Sequence, residues 1–413
     1  MIPGTGSRSW DGITHDSINK SYYKMEQEQT MVDNVRMHFK DKFHGETGNV
    51  YAAPGRINLI GEHTDYNGGY VFPGAVDKGI IAEIKPNGTD TVKAYAIDLD
   101  EEAVFDIDDP AGPGQSWARY IFGICREMKL RGVEVKGFDT AFSGDVPLGS
   151  GMSSSAALES CYAYAINDLF GDNRVEKKEL AYAGQATEHK YVGVKCGIMD
   201  QFASVFGRKG YLIRLNCHTM EYDYFPFDPK GYRVVLLNSC VKHELASSAY
   251  NDRRHSCENV FGLIKADHPE VEALSYATMD MLEEVGSKVP AEDYHCAKYV
   301  IGERDRVLTV SDALTKGDYE LVGRMMYQTH EGLSKDYKVS CPELDCLNEI
   351  AKACGVTGSR MMGGEFGGCT INLVRDDLYG AFIATAKEKY KARYGKEPLV
   401  YDVVIGDGAR KLI

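Results

Sequence analysis

The stretch "GDVPLGSGMSSSAALESCYAYAINDLF", residues 144–170, restricts the fold more than any other part of the chain. It carries an extended segment, "FDTAFSGDVPLG", through a glycine-rich turn into a helix. Leu158, Cys161, Tyr162, Ala165, Ile166 and Leu169 stand at i, i+3, i+4, i+7, i+8 and i+11, one apolar face at helical spacing. A serine cluster opens the helix, which is the chemistry of an N-cap. At 413 residues the chain is too long for one ordinary core, so two domains or one large α/β unit are expected around this element.

The turn invites a comparison with nucleotide-binding loops, and two of them fail. Gly144 and Gly149 have the G-x-x-x-x-G spacing of a P-loop, but Ser150 stands where the lysine must be. The run Gly149-Ser150-Gly151-Met152-Ser153-Ser154 lacks the last glycine of a dinucleotide fingerprint. The physics of phosphate binding survives both failures. Glycines let the backbone approach a ligand, and the N–H groups and positive dipole end of the helix face the turn. A serine-capped helix after a tight turn explains the same residues equally well.

Two other stretches draw attention. "GRINLIGEHTDYNGGY", Gly55 to Tyr70, crowds Arg56, Glu62, His63 and Asp65 among four glycines. A solvated loop can carry such charges idly; a sugar site could use all of them. "MMGGEFGGCT" carries Gly363, Gly364, Gly367 and Gly368, a loop in close contact with a ligand or with the protein itself. Between these lie Glu188, late on a helix, and Asp200 at the start of another in "GIMDQ". Taken singly, Glu188 reads as a solvated face, Asp200 as an N-cap, and Tyr250 in "SAYNDRR" as a half-buried helix aromatic.

The remaining chain alternates strands and helices. "VYAAPGRINLI", "GIIAEIKPNG" and "TVKAYAIDLD" read as strands, with Asn87-Gly88 as a hairpin turn. "SWARYIFGICREMKLRG" reads as a helix ended by Gly132, "KKELAYAGQATEHKYVG" as another, and "CGIMDQFASVFG" as a short one. "GYLIRLNC", "YDYFPFD" and "YRVVLLNSC" are strand-like; helical patterns dominate from about 240 to 353, before a final helix and strand. Residues 1–24 lack periodicity, and Met25 opens an ordered helix. The expected organisation is a poorly ordered, dispensable extension at 1–24, an N-terminal lobe at 25–228 and a C-terminal lobe at 229–413.

Net charge is −14, which argues against nucleic acid as a partner, because phosphate backbones need a basic footprint. An anionic small molecule stays possible where a helix N-terminus, an arginine or a metal compensates locally. No apolar run approaches the ~20 residues that span a bilayer. The N-terminus has no secretory pattern, so the cytoplasm is the expected compartment. The 11 cysteines include no C-x-x-C and no zinc-ligand spacing, and reduced, mostly buried thiols are expected.

Taken together and in order, the stretches resemble one family. "GRINLIGEHTDYNGGYVFPGAVDKG" resembles the N-terminal signature of galactokinases, "PLGSGMSSSAALE" the second motif of the wider GHMP kinases, and "GGEFGGCTINLV" their third. "CGIMDQFAS" and "NSCVKHELASSAYNDRR" match galactokinase segments between them, so the resemblance spans roughly residues 48–413. It implies a two-domain α/β (α+β) GHMP kinase fold. The first lobe would resemble a ribosomal S5 domain 2-like fold and the second a ferredoxin-like one, with the active site in the cleft between them. It implies transfer of the γ-phosphoryl of ATP to the C1 hydroxyl of α-D-galactose, the first committed step of galactose use by the Leloir pathway. A monomer is expected, with a weak dimer as the alternative.

By the family's pattern, Asp200 is the base for the anomeric hydroxyl, and Arg56 beside it stabilises the transferring phosphoryl group. Glu62, His63, Thr64, Asp65 and Tyr250 match the sugar contacts. ATP would lie on Gly149, Ser150, Gly151, Met152, Ser153, Ser154 and Ser155, with Ser155 and Glu188 on Mg²⁺. One residue departs from the pattern: Glu365 replaces a glycine, and a carboxylate there should repel phosphates. Glu365→Gly is therefore expected to lower the KM for ATP or raise stability. Competing readings are a kinase of N-acetylgalactosamine or arabinose, a sugar sensor without turnover, and a mevalonate-type kinase. The intact "SSSAALE" with Arg56 and Asp200 favours an enzyme over a sensor, and "GEHTDYN" has no use in a mevalonate kinase.

Overall fold

The computed structural model describes residues 15–147, 149–241, 246–364 and 367–413. Helix α1 (His15–Lys42) begins ten residues before the expected start at Met25. Gly and Pro are absent from His15 to Lys42, so nothing breaks the helix until the turn before Gly45. Residues 15–24 are thus helical, not irregular; the expectation for residues 1–14 lies outside the described residues.

The first lobe is built on a six-stranded sheet. Along the chain come β1 (Asn49–Asn58), the short β2 (Tyr70–Val71), β3 (Pro73–Pro86), β4 (Thr91–Ala96) and β5 (Glu101–Asp106). Helix α2 (Ser116–Leu130), β6 (Phe138–Gly144), α3 (Ser154–Phe170), α4 (Lys177–Thr187) and α5 (Met199–Phe206) follow. Strands β7 (Tyr211–Asn216) and β8 (Tyr222–Pro226) form a small sheet with β2. Period-two alternation sorts the large sheet's faces. Tyr51, Ala53, Ala82 and Ile84 pack under α2, α3 and α4, while Val50, Ala52 and Ile81 meet Val32 and Val35 of α1. The Asn87-Gly88 turn is present, with Gly88 at φ 73°, but it does not make a hairpin. Strand β6 lies between β3 and β4, antiparallel to one and parallel to the other.

The second lobe starts with β9 (Tyr232–Asn238) and the helices α6 (Ala246–Asp267), α7 (Met279–Val285), α8 (Ala291–Lys316), α9 (Tyr319–Lys335) and α10 (Pro342–Ala353). Strands β10 (Gly358–Met362) and β11 (Cys369–Arg375), helix α11 (Tyr379–Tyr394) and β12 (Leu399–Val403) complete it, with sheet order β10-β11-β9-β12. One face of this sheet is covered by α10 and α11. The other shares a core with α8, α9 and residues of the first lobe, Ile57, Leu59, Phe72 and Leu212 among them.

The chain divides less cleanly in space than a cut at 228/229 suggests. Strand β13 (Arg410–Lys411) returns to the first lobe and pairs with β1, Tyr51 opposite Lys411 and Ala52 opposite Arg410. It covers a β1 edge that would otherwise stand open, and a two-residue strand carries no periodicity to read in advance. Among the described residues no helix is long and apolar enough to cross a membrane. The cysteines are free thiols, and Cys125, Cys161, Cys257, Cys296, Cys341, Cys346 and Cys369 are buried.

Candidate active site

The glycine-rich turn leaves β6 at Gly144 and enters α3 at Ser154. Gly149 and Gly151 take φ 69° and 71°, and Ser153 follows at 56°, in the left-handed region that non-glycine residues rarely visit. Ser153 occupies the N-cap position, but its side chain makes no capping bond. This differs from the expected serine cap: the Ser153 hydroxyl donates to Asp200 Oδ2 instead. The first-turn N–H groups of α3 thus stay available at the positive end of the helix. The third glycine stretch packs directly on the second. A Cβ at Gly151 would fall 2.9 Å from the Met362 carbonyl oxygen, so the two backbones meet where a side chain has no room.

Arg56 reaches this turn from the end of β1. Its Nε donates to Asp200 Oδ1 and its Nη2 to Asp200 Oδ2, both at 2.7 Å, a two-pronged pair of the strong kind. Nη1 donates to the Gly151 carbonyl. Burial works against the Arg56 charge, but Asp200 and then Glu62 outweigh it and hold the guanidinium pKa above its ordinary value. Asp200 lies in the first turn of α5, one place inside the helix and not at its cap. Its side chain is 29% exposed where that of Arg56 is 5%, so the carboxylate is the partner that meets the cleft.

Glu62, His63 and Asp65 line the same cleft, which has a volume of about 620 Å³. Glu62 is sealed from water and bound by Arg360 Nη1 at 2.7 Å on Oε2. Burial pushes the Glu62 carboxyl up; Arg360 and then Arg56 outweigh burial and hold it below the usual range. His63 sits at φ 59°, its Nδ1 2.8 Å from the Tyr66 hydroxyl and its Nε2 without a partner among the described residues. Burial lowers its pKa to about 4, so the ring is neutral at pH 7. Tyr250 of α6 packs on His63 and Tyr66 with ring centroids 5.4 and 5.1 Å away.

Thr64 is placed apart from these. It does not line the cleft, and its hydroxyl lies 2.9 Å from the Gly61 carbonyl and 2.7 Å from that of Tyr70. Its side chain closes the loop, so its hydroxyl is already engaged within the protein. Asp65 fits against Gly197, where a Cβ would fall 1.9 Å from its Oδ2. Burial and the nearby Asp200 push the Asp65 pKa up to about 7.

The serine turn from Gly149 to Ser155 lines the cleft opposite the charged loop, and Glu188 stands beside it. Glu188 is 6% exposed, which overturns the reading of a solvated face. Burial raises its pKa to about 7, the Ser155 hydrogen bond lowers it, and Asp200 raises it again. Among the described residues no group of three or more His, Cys, Asp or Glu side chains is arranged around a metal. Two hard oxygen donors, Ser155 and Glu188, do suit an ion that takes its other ligands from phosphates and water. Glu365 lies outside the described residues.

Sequence reasoning missed Arg360, Tyr66, Tyr337 and Gly197. Arg360 had no clear local signal, since it stands in "VTGSRMMGG" between small polar residues and two methionines, where a surface arginine reads equally well. The tyrosines had none, for the Tyr66–Tyr337 contact joins residues far apart in the chain, hydroxyl to hydroxyl at 2.8 Å.

Two lobes sharing a core, a lysine-free glycine turn ending at a helix N-terminus and a carboxylate–arginine pair facing it define the class of the GHMP kinases. The models described as GHMP kinases N terminal domain and GHMP kinases C terminal match residues 119–208 and 310–391. A mevalonate kinase from Methanococcus jannaschii shares this fold at TM-score 0.62 and 16% identity, over 88% of this chain and 99% of that one. A galactokinase galactose-binding signature matches residues 37–86. The crystal structure of Lactococcus lactis galactokinase complexed with galactose superimposes at TM-score 0.86 and 33% identity, over 91% of this chain and 98% of that one. The galactokinase of Chloroflexus aggregans is 39% identical over 85% of this chain and 90% of its own length. That of Thermotoga maritima is 38% identical over 87% and 99%. The chain belongs to the galactokinase family, and it is a phosphotransferase.

Proposed function

We propose that this kinase transfers the γ-phosphoryl group of ATP to the C1 hydroxyl of α-D-galactose, giving α-D-galactose 1-phosphate and ADP. In a cell this is the first committed step of galactose use by the Leloir pathway. The observation that carries the reading is the Arg56–Asp200 pair at the junction between the serine turn and the Glu62–His63–Asp65 wall.

Asp200 is the residue for the anomeric hydroxyl. Arg56 and Ser153 hold three of its roughly four acceptor positions, which leaves one on Oδ1 for one hydroxyl. The C1 oxygen gives its proton to Asp200 and attacks the γ-phosphorus as the bond to the β–γ bridging oxygen breaks. Arg56 neutralises the charge gathering on the transferred group, from a site excluded from water where such contacts are strong. Gly149, Ser150, Gly151, Met152, Ser153, Ser154 and Ser155 cradle the phosphates against the α3 N-terminus. Ser155 and Glu188 would hold Mg²⁺, which neutralises phosphate oxygens when bound. Glu62, His63 and Asp65 accept or donate to sugar hydroxyls, and Tyr250 closes that side.

The test is coupled ADP release with ATP and Mg²⁺, offering galactose, N-acetylgalactosamine, glucose and arabinose in parallel. Turnover with galactose is the expected result. Turnover with a different sugar alone would keep the phosphate site and overturn the substrate. Galactose binding by calorimetry without turnover would favour a sensor.

A further inference from the structure

Arg360 is 0% exposed, the largest of the fully buried side chains, and it belongs to none of the motifs that brought the active site to light. It stands on β10, in the second lobe, yet most of its bonds cross to the first. Nε donates to the Leu59 carbonyl at 2.9 Å and Nη2 to the Asn58 carbonyl. Nη1 donates to Glu62 Oε2 at 2.7 Å and to the neighbouring Met361 carbonyl. One planar fork thus grips the backbone just before the charged loop and the first side chain that the loop sends into the cleft. An ammonium could not reach all these acceptors together.

The backbone of the loop is held from the same side. Gly61 N–H donates to Glu303 Oε1 at 2.9 Å, and the Tyr299 hydroxyl donates to the Glu62 carbonyl at 2.9 Å, both from α8. Cohesion between lobes does not require a charge pair here, since apolar residues of similar volume often serve as well or better. The pair does something an apolar contact cannot. Glu62 Oε2 takes Arg360 at 2.7 Å and Asn58 Nδ2 at 3.5 Å, while Oε1 has no partner among the described residues.

We propose that Arg360 is a positioning residue for sugar selection, committing one Glu62 oxygen to the C-terminal lobe so that the other is offered to a single substrate hydroxyl. This rests on the galactose reading above and sharpens it. A free carboxylate could accept from two neighbouring hydroxyls at once; Glu62 as held by Arg360 accepts from one. The charged and titratable groups that face Glu62 are Arg360 from β10, Arg56 from β1, Tyr299 from α8, and His63 and Asp65 from its own loop. Without Arg360 the upward push of burial on Glu62 meets less opposition, and the carboxylate protonates at a higher pH.

The test is steady-state kinetics of the full-length enzyme and of R360M, R360K, E62Q and R360M/E62Q, from about pH 5 to about pH 9. R360M should raise the KM for galactose about tenfold or more and leave the KM for ATP within about threefold. Its kcat/KM for galactose should fall more steeply toward acid pH than that of the wild type, and E62Q should remove the added loss. The double variant should lose less than the product of the two single losses, because both act through one carboxylate. R360K keeps the charge without the fork. Should R360M fail to fold, a folded R360K with a galactose KM raised about threefold or more carries the test.

Galactose and ATP constants rising together, multiplicative losses in the double variant, or an unchanged galactose KM in folded R360K would each overturn the proposal. If the wild type turns over a different sugar, the substrate reading falls and the Arg360 comparison is made on that sugar. If it turns over none, both fall.

Discussion

Two arginine–carboxylate pairs lie within this site, and they are built for different work. In Arg56–Asp200 the guanidinium is buried and the carboxylate meets the cleft, with a side-chain exposure of 29%. In Arg360–Glu62 both partners are sealed, at 0% and 3%. In the proposed reaction the first pair offers a carboxylate to the reacting hydroxyl and braces it from behind. The second holds a carboxylate still while the atoms it faces do not change their bonds. The pairs share their chemistry and differ in the exposure of the carboxylate, and the proposed roles follow that difference.

That comparison can be broken most directly at Asp200. Asp200→Asn should lower kcat by roughly 10²–10⁴-fold with a small change in the galactose KM, because it removes the proton acceptor and keeps the shape. A kcat within tenfold of wild type would show that orientation alone suffices. Arg56→Lys keeps the charge and loses the fork, and should cost about 10²-fold in kcat. Unchanged turnover would make the fork at the reactive pair dispensable.

Glu62→Gln should act on the other side of the comparison. We expect the galactose KM to rise about tenfold and thermal stability to fall, since it leaves the buried Arg360 charge unpaired. A loss in kcat as large as that of Asp200→Asn would erase the distinction between the pairs. Glu188→Gln should raise the Mg²⁺ concentration needed for half-maximal rate about tenfold, and leave galactose binding, read by calorimetry, near wild type.

The smallest expected effect is on stability with pH. The folded pKa values of Asp65 and Glu188 are raised to about 7, above their unfolded values, so the folded state holds more protons than the unfolded one below that. The stability they contribute is present at low pH and is lost as pH rises through about 7. His63 acts in the opposite sense, and only below its unfolded value of about 6.5, because its folded pKa is about 4. Lowering the pH of the ligand-free enzyme from about 8 to about 6.5 should therefore raise Tm by about 2–4 °C. Scanning calorimetry of the wild type against Asp65→Asn checks it, since the variant should lose part of the rise.

Legibility followed distance along the chain. The serine turn, the charged loop and the helix carrying Asp200 each occupy a short window; taken singly their residues left bland readings open, and only the resemblance of the motifs in order gave them roles. Glu188 was legible as a candidate but not as buried, because its cover comes from elsewhere. Arg360 and Tyr337 act through partners far off in sequence, where no local period betrays them. The same limit applies to the fold. The Asn87-Gly88 turn was correctly placed, yet the strands it joins are separated by β6, which enters the sheet later in the chain. The Thr64 hydroxyl, inside the charged loop, bonds the loop's own backbone, which no local pattern shows.

The pairing of β13 with β1 has a consequence for how the protein is made. Strand β1 leaves the ribosome well before Arg410 and Lys411, the residues that cover its edge. Until β13 follows, the first sheet exposes unpaired N–H and C=O groups beside apolar Val50 and Ala52. A nascent chain therefore carries an adhesive border until β13 emerges and pairs with β1, which makes the arrival of that short strand a point of control over aggregation and chaperone demand.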